Sequence, residues 1–170
     1  PYSFTLAYRI RSILSFIKKY INIVNMHLIQ KRYKKVIIIK RRKLLETKLI
    51  KVAFFVTQKQ LWVGQSLYDE FLSNDYFEPL VVVFPNNEDK VNSNTSTAND
   101  NYKFFKNRDM NVIKGYNSDT ERTNYLTPNK INADIIFYDQ PSPQIHRSLS
   151  WYQLSKYSLV CYIPYGYKIS

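Results

Sequence analysis

Five short apolar runs between residues 50 and 163 most constrain what this chain can fold into. Each is rich in Val, Ile or aromatic residues and ends at a polar stretch, as a buried β-strand does. The predicted strands are Ile50–Val56, Leu80–Phe84, Asn111–Lys114, Ala133–Tyr138 and Leu159–Ile163. Helical patterns alternate with them over Gly64–Ser73, Tyr102–Arg108 and Gln144–Lys156, and residues 86–101 predict a polar loop.

Strands that are apolar on both faces and separated by helices are typical of a parallel sheet, because the crossover helices cover both faces. The sequence therefore predicts an α/β, Rossmann-like domain over residues 50–170 with a parallel sheet of about five strands. Right-handed crossovers favour the strand order 3-2-1-4-5, with a ligand site where strands one and four end side by side. Strand residues expected to be buried are Val52, Phe54, Val82, Ile135 and Val160.

Residues 1–49 differ from this domain in charge and pattern. The formal charge of the chain is +12, and 13 of its 25 Lys and Arg residues lie in the first 50 positions, where Glu46 is the only acid. Apolar residues recur at helical spacing over residues 8–28, and the segment KRYKKVIIIKRRK follows at residues 31–43. This basic amphipathic helical segment suits an anionic membrane surface, or alternatively packing on its own domain. Nucleic acid is not an expected partner, because Lys and Arg balance Asp and Glu in residues 51–170.

Several function classes lack their sequence signatures. Cys161 is the only cysteine, so the chain has no intrachain disulfide and fits a reducing compartment, with the cytoplasm as the default. No Gly-rich phosphate-binding turn follows the first strand, and no metal-binding His or Cys cluster is present. We therefore expect no bound metal and no cofactor. No apolar run is long enough for a transmembrane helix.

Polar and aromatic residues follow three of the predicted strands at their carboxyl ends, where sheets of this class bind ligands. Candidate substrate-binding residues are Gln60, Trp62, Asp139, Gln140, Tyr165 and Gly166. Amide, carboxylate and phenol groups can orient the hydroxyls and phosphates of a polyol, with Trp62 as an apolar platform. For single residues a structural role is the alternative: Trp62 as a lid on the core, or Asp139 as a helix cap.

The two histidines give no clear catalytic assignment. His27 lies on the flank of the apolar stripe of the amino-terminal segment, which favours a structural or interfacial role. His146 lies near a predicted helix start and is a candidate general base. The sequence alone therefore assigns no catalytic residue.

Four ordered segments of the domain resemble a known family. They are IKVAFFVTQKQLWVGQSLYDEFLSNDYFEPLVVVFP, NYKFFKNRDMNVIKGY, ADIIFYDQP and CYIPYGYKIS, and together they span about residues 50–170. This series is similar to the amino-terminal half of the CDP-glycerol glycerophosphotransferases, which act in teichoic-acid and capsular-polysaccharide synthesis. The resemblance implies two Rossmann-like domains facing across a cleft, with the second domain binding most of the nucleotide-activated donor.

The chain departs from the resemblance at one point. Polymerases of the family have a Trp-His-Gly segment whose histidine acts as a base, whereas this sequence has Pro164-Tyr165-Gly166 in the corresponding position. The resemblance thus implies the acceptor-side domain of a transferase that moves glycerophosphate, polyol phosphate or sugar to an envelope polymer or lipid-linked acceptor. Its expected place is the cytoplasmic face of the bacterial cell membrane. The chain is expected to be a fragment that is inactive alone, and a non-catalytic regulatory or polymer-binding domain is the alternative.

Overall fold

The computed structural model describes residues 24–43, 45–46, 49–86, 96–117, 124–138 and 146–163. Four of the candidate site residues lie outside these ranges: Asp139, Gln140, Tyr165 and Gly166. Residues 8–23 of the predicted helical stripe over residues 8–28 also lie outside them.

Seven strands and five α-helices are present in the described part of the chain. The helices are α1 over residues 24–43, α2 at Gln65–Leu72, α3 at Ser96–Lys106, α4 at Pro128–Ile131 and α5 at Trp151–Leu154. The strands are β1 at Ile50–Val56, β2 at Phe77–Val83, β3 at Val112–Lys114, β4 at Tyr116–Asn117, β5 at Asn124–Tyr125, β6 at Ile135–Tyr138 and β7 at Leu159–Tyr162.

The main sheet has five parallel strands in the order β3-β2-β1-β6-β7. The five predicted apolar runs form these strands, so the expected order 3-2-1-4-5 and the Rossmann-like α/β fold are confirmed. In register, Val52 of β1 lies between Pro79 of β2 and Ile135 of β6. The carboxyl ends of β1 and β6 therefore lie side by side at the topological switch point.

Alternate residues of the central strands pack into two separate cores. On one face, Val52, Phe54 and Val56 pack with α2 and α3, and on the other, Ala53 and Phe55 pack with residues of the β6–β7 crossover. Apolar burial on both faces explains why β1 and β2 read as continuous apolar runs.

Three of the five strand residues expected in the core are fully buried: Val52, Phe54 and Val82. Ile135 and Val160 are only half-buried, so the expectation for these two was too strong. Val160 lies on the edge strand β7, and Ile135 begins β6 beside a cavity.

The polar stretch predicted as a loop over residues 86–101 is helical from Ser96 onward, where α3 begins. Asn, Ser and Thr have low helix propensity, and for this reason the sequence pattern predicts a loop over residues 96–101. Burial of Ala98 and Asn101 against the sheet offsets that propensity. Helix α2 lies where it was predicted, with Gly64 as its N-cap residue and Ser73 as its C-cap residue.

Two further elements differ from the prediction. The β4–β5 hairpin and α4 were not predicted, and their short length explains why. The helix expected over Gln144–Lys156 is divided in its described part into a 3-10 turn at Arg147–Leu149 and α5. Ser150 separates them because its backbone is extended, with φ −62° and ψ 151°.

Helix α1 packs at the amino edge of the sheet. Val36 is buried, and the side chains of Lys40 and Lys43 both reach Asp134, which precedes β6. The opposite face of α1 is exposed and includes Ile38, at 60% exposure. Within the described residues, no helix combines the length and the apolar character needed to cross a membrane.

Candidate functional site

The loop after β1 begins the candidate site at the carboxyl edge of the sheet. Thr57 is buried, and its carbonyl oxygen accepts a hydrogen bond of 2.8 Å from the side-chain amide of Asn101 in α3. The Asn101 side-chain oxygen accepts a bond of 3.1 Å from the backbone N–H of Lys59. Asn101 is itself fully buried. Its side-chain amide therefore bonds the backbone at two positions of the turn after β1, Thr57 and Lys59.

Two of the six candidate substrate-binding residues follow this turn. Gln60 is exposed in a 3-10 turn at Lys59–Leu61, and Trp62 is half-buried directly after it. The other four residues follow β6 and β7 and lie outside the described ranges. Because β1 and β6 are parallel neighbours, their carboxyl ends lie at the same edge of the sheet.

The Trp62 indole packs as a cover on the core. Its ring meets Phe54 and Phe105 edge-on, at centroid distances of 5.5 Å and 5.2 Å. Gly64 lies against the indole, and a Cβ atom there would come within 2.7 Å of the ring. The indole N–H donates a bond of 3.0 Å to the side-chain oxygen of Gln65. This packing holds the orientation of Trp62, whose remaining surface borders a pocket.

This pocket, here called the Trp62 pocket, is an open surface depression of about 590 Å³ between the loop after β1 and the end of α3 with the turn that follows it. It is lined by Lys59, Trp62, Gln65, Phe104, Arg108 and Asp109. The lining combines two cations, one carboxylate, one amide and two aromatic rings. The described lining therefore offers charged, amide and aromatic groups for contact with a ligand.

Both cations of the Trp62 pocket approach one aromatic ring. The Arg108 guanidinium lies 3.6 Å from the centroid of the Phe104 ring, and the Lys59 ammonium lies 5.7 Å from the same centroid. Attraction to the ring face holds a cation in place without using its charge in an ion pair, so Arg108, which is exposed, can still bind an anion. Two such cations within reach of one ring favour a ligand with spaced negative charges and an apolar or polyol backbone.

The described histidines lie away from the Trp62 pocket lining. His146 stacks on Tyr125, with 4.5 Å between ring centroids, and its Nδ1 lies 2.7 Å from the Ser148 hydroxyl oxygen. It is thus the N-cap residue of the turn at Arg147–Leu149, as its position near a helix start suggested. His27 is exposed on α1.

Burial keeps two other potentially reactive groups, the Cys161 thiol and the Tyr138 hydroxyl, in their protonated forms. Burial raises the pKa of the Cys161 thiol, which disfavours the thiolate. Burial also raises the pKa of Tyr138, whose hydroxyl donates to the Leu149 carbonyl. No group of three or more potential metal-binding His, Cys, Asp or Glu side chains occurs within the described ranges.

The chain matches no protein-family model, no curated protein and no solved structure.

Lys59, Phe104 and Arg108 were not among the residues predicted for the site. A signal for two of them was present in the segment NYKFFKNRD, because the helix predicted over Tyr102–Arg108 places Phe104 and Arg108, four residues apart, on one face. In the structure α3 ends at Lys106, and Arg108 approaches Phe104 from the turn that follows. The position of Lys59 against this pair depends on how α3 packs beside the loop after β1, which the local pattern does not encode.

Proposed function

We propose that residues 50–170 are the acceptor-side domain of a transferase that moves glycerophosphate, polyol phosphate or sugar from a nucleotide-activated donor to an envelope polymer or lipid-linked acceptor. The observation that carries the proposal is the pair of cations, Lys59 and Arg108, around the Phe104 ring in the Trp62 pocket. A polyol-phosphate chain supplies anionic groups at intervals and hydroxyls between them. Such a chain matches two spaced cations in a pocket that is also lined by aromatic rings.

The parallel sheet and its switch point support this assignment, because the domains of nucleotide-dependent transferases are commonly of this architecture and bind ligands at the carboxyl edge. In the proposal, Gln60 and Trp62 bind acceptor on the β1 side. Asp139 and Gln140 follow β6, and Tyr165 and Gly166 follow β7, so they extend the acceptor surface along the same edge. Their contribution rests on these positions in the sequence.

The nucleotide-activated donor, such as CDP-glycerol, binds in this proposal mainly through a second domain. One domain provides a single wall of the cleft in which donor and acceptor would be aligned. Residues 1–170 alone are therefore expected to bind acceptor polymer and to release no CMP from CDP-glycerol above the rate in buffer. Sustained CMP release by this chain would contradict the division of roles.

Attachment to the inner face of the cell membrane belongs to the same proposal. Exposed Lys and Arg side chains on α1 include Lys31, Lys34, Lys35, Arg41 and Arg42. Each cation near an anionic bilayer surface contributes about 1 kcal/mol to attachment. A membrane-confined transferase would stay close to a lipid-linked acceptor. Flotation with vesicles of phosphatidylglycerol, compared with phosphatidylcholine at low and high salt, tests this attachment.

A titration of the chain with a short oligo(glycerol phosphate) tests the acceptor site. We expect saturable binding that Lys59→Gln and Arg108→Gln each weaken about fivefold, as the loss of one partly exposed ionic contact does. Lys106→Gln is the matched control, because Lys106 is an exposed cation at the end of α3, two residues before Arg108, and does not line the pocket. Equal weakening by all three variants, or no binding, would contradict the proposal.

A polymer-binding or regulatory domain without catalysis is the second candidate, favoured by Pro164-Tyr165-Gly166 in the position of the Trp-His-Gly segment of the resembled family. The two candidates differ in the full-length protein. The transferase predicts that Arg108→Gln slows polymer elongation from radiolabelled CDP-glycerol in proportion to weakened acceptor binding. If the domain is regulatory, the purified full-length protein should not elongate polymer, whether residue 108 is arginine or glutamine.

A further inference from the structure

A second cavity lies at the opposite edge of the sheet, between α1 and the starts of the central strands. It has a volume of about 190 Å³ and a lining surface that is almost entirely apolar. The apolar walls are Ile37 of α1, Leu49, Ile50, Ile135 and Leu159. Its distance from the switch point, at the other end of the strands, separates it from the acceptor site.

Cations surround this apolar cavity. Lys40, Arg41 and Lys43 line it together with one acid, Asp134. Lys40 and Lys43 approach the Asp134 carboxylate to 2.7 Å and 3.0 Å, so both are held at the cavity with their aliphatic stems beside its walls. Three cations against one carboxylate leave the rim positively charged.

We propose that this cavity binds the acyl chain of an anionic membrane lipid, whose headgroup contacts Arg41 and the neighbouring lysines. A dry apolar cavity of about 150 Å³ suffices for a benzene ring, so 190 Å³ accepts a segment of one hydrocarbon chain. The combination of an apolar interior and a cationic rim matches an amphiphile with a negative headgroup. Nucleic acid or an acidic peptide would leave the apolar walls uncontacted.

The exposed face of α1 favours a bilayer as the source of this lipid. Ile38, Ile39 and Leu45 expose 60%, 64% and 74% of their surface next to exposed Arg42. Apolar side chains interleaved with cations are the pattern of a helix that lies in the headgroup region. The inference therefore deepens the proposed membrane attachment and rests on it.

A soluble amphiphile tests the cavity itself. Decyl phosphate, titrated below its self-association concentration, should bind saturably at one site, whereas inorganic phosphate should bind far more weakly. Across hexyl, octyl and decyl phosphate, each methylene that enters the cavity should tighten binding about fourfold. Affinity that does not depend on chain length would overturn the proposal.

Paired variants separate the cavity from general surface charge. Arg41→Gln should weaken decyl phosphate binding about fivefold, and Arg42→Gln, an adjacent cation that does not line the cavity, should change it less than about twofold. Leu49→Gln should weaken binding by a similar factor to Arg41→Gln, while the exposed Leu45→Gln should have little effect. All four sites are exposed, and circular dichroism checks that each variant is folded. Equal effects within either pair would overturn the proposal.

Vesicles of phosphatidylglycerol test the bilayer as the source. The cavity predicts that Arg41→Gln lowers flotation more than Arg42→Gln. Equal losses would remove the cavity site and leave the membrane attachment intact. Absence of flotation for the unaltered chain would contradict both the attachment and the membrane origin of the ligand, whatever decyl phosphate does.

Discussion

The Lys40 ammonium lies 2.7 Å from the carboxylate of Asp134, a residue 94 positions further along the chain. Lys43 reaches the same carboxylate at 3.0 Å, and the backbone N–H of Lys51 donates to its second oxygen at 3.0 Å. Asp134 therefore links α1, the start of β1 and the start of β6. This link fixes the position of the basic helix α1 on the domain, with its outer face exposed.

Asp134→Asn should lower the free energy of unfolding by about 1–3 kcal/mol, because the buried charge partner of two lysines is lost. Urea unfolding measures this change. Glu78→Gln is the matched control, since the Lys51–Glu78 pair at 3.3 Å is more than 40% exposed on both sides and should contribute less than about 0.5 kcal/mol. Equal destabilisation by both substitutions would contradict the role of Asp134.

Stability should decrease as acid protonates Asp134. Burial alone raises the pKa of this carboxyl, but hydrogen bonds from Lys40, the Lys51 amide and Lys43 outweigh it and lower the pKa below the ordinary value of 3.8. The unfolded chain therefore binds the proton first, and the stabilisation is fully present above that value. It is lost as the pH falls through the lower folded-state pKa. Between pH 7 and pH 2 the free energy of unfolding should therefore fall less steeply in Asp134→Asn than in the unaltered chain. An equal fall in both proteins would contradict the role of Asp134 in acid sensitivity.

Gly115→Ala should destabilise the domain by about 1–3 kcal/mol through overpacking. Gly115 follows β3 and is buried, and an added Cβ atom would overlap the Phe84 ring. Thermal unfolding measures the change. The double variant Gly115→Ala/Phe84→Leu should be more stable than the sum of the two single changes implies, because the smaller side chain relieves the overlap. If the two single effects on stability simply add, the added Cβ atom and the Phe84 ring do not clash.

Asn101→Leu should cost about 2–4 kcal/mol, because the Thr57 carbonyl and the Lys59 N–H lose their buried partner together. Amide exchange at Lys59 should accelerate more than exchange in β1. Asn107→Ala, on the exposed surface just after α3, serves as the control and should alter neither quantity appreciably. Unchanged exchange at Lys59 in Asn101→Leu would contradict the proposed tie between α3 and the loop after β1.

The sheet could be predicted from the sequence because its central strands are buried on both faces and so form continuous apolar runs. Phe54 and Phe55 show this most clearly, since consecutive residues enter opposite cores. Elements held by tertiary contacts were harder to predict. The first half of α3, STANDN at residues 96–101, has five polar residues and one alanine, and it becomes helical through the burial of Ala98 and Asn101.

The candidate site was only partly predictable. Trp62 was identified because it follows the first strand, but its packing against Phe105 depends on α3. The approach of Lys59 to Phe104 joins residues from separate elements, and a linear pattern carries no information about that distance. Likewise, the pairing of Lys40 with Asp134 was invisible as a charge pattern, since residues 31–43 read as uniformly basic.

The most direct test of the acceptor-binding proposal is cross-linking with an oligo(glycerol phosphate) that carries a photoreactive diazirine, followed by peptide mapping. Any polyanion can bind the basic helix α1, so the location of the cross-links is decisive. The proposed function predicts cross-links within residues 57–65 and 104–109 that unlabelled oligo(glycerol phosphate) suppresses and inorganic polyphosphate of equal charge suppresses less. Cross-links confined to residues 24–43, or equal suppression by both polymers, would contradict it.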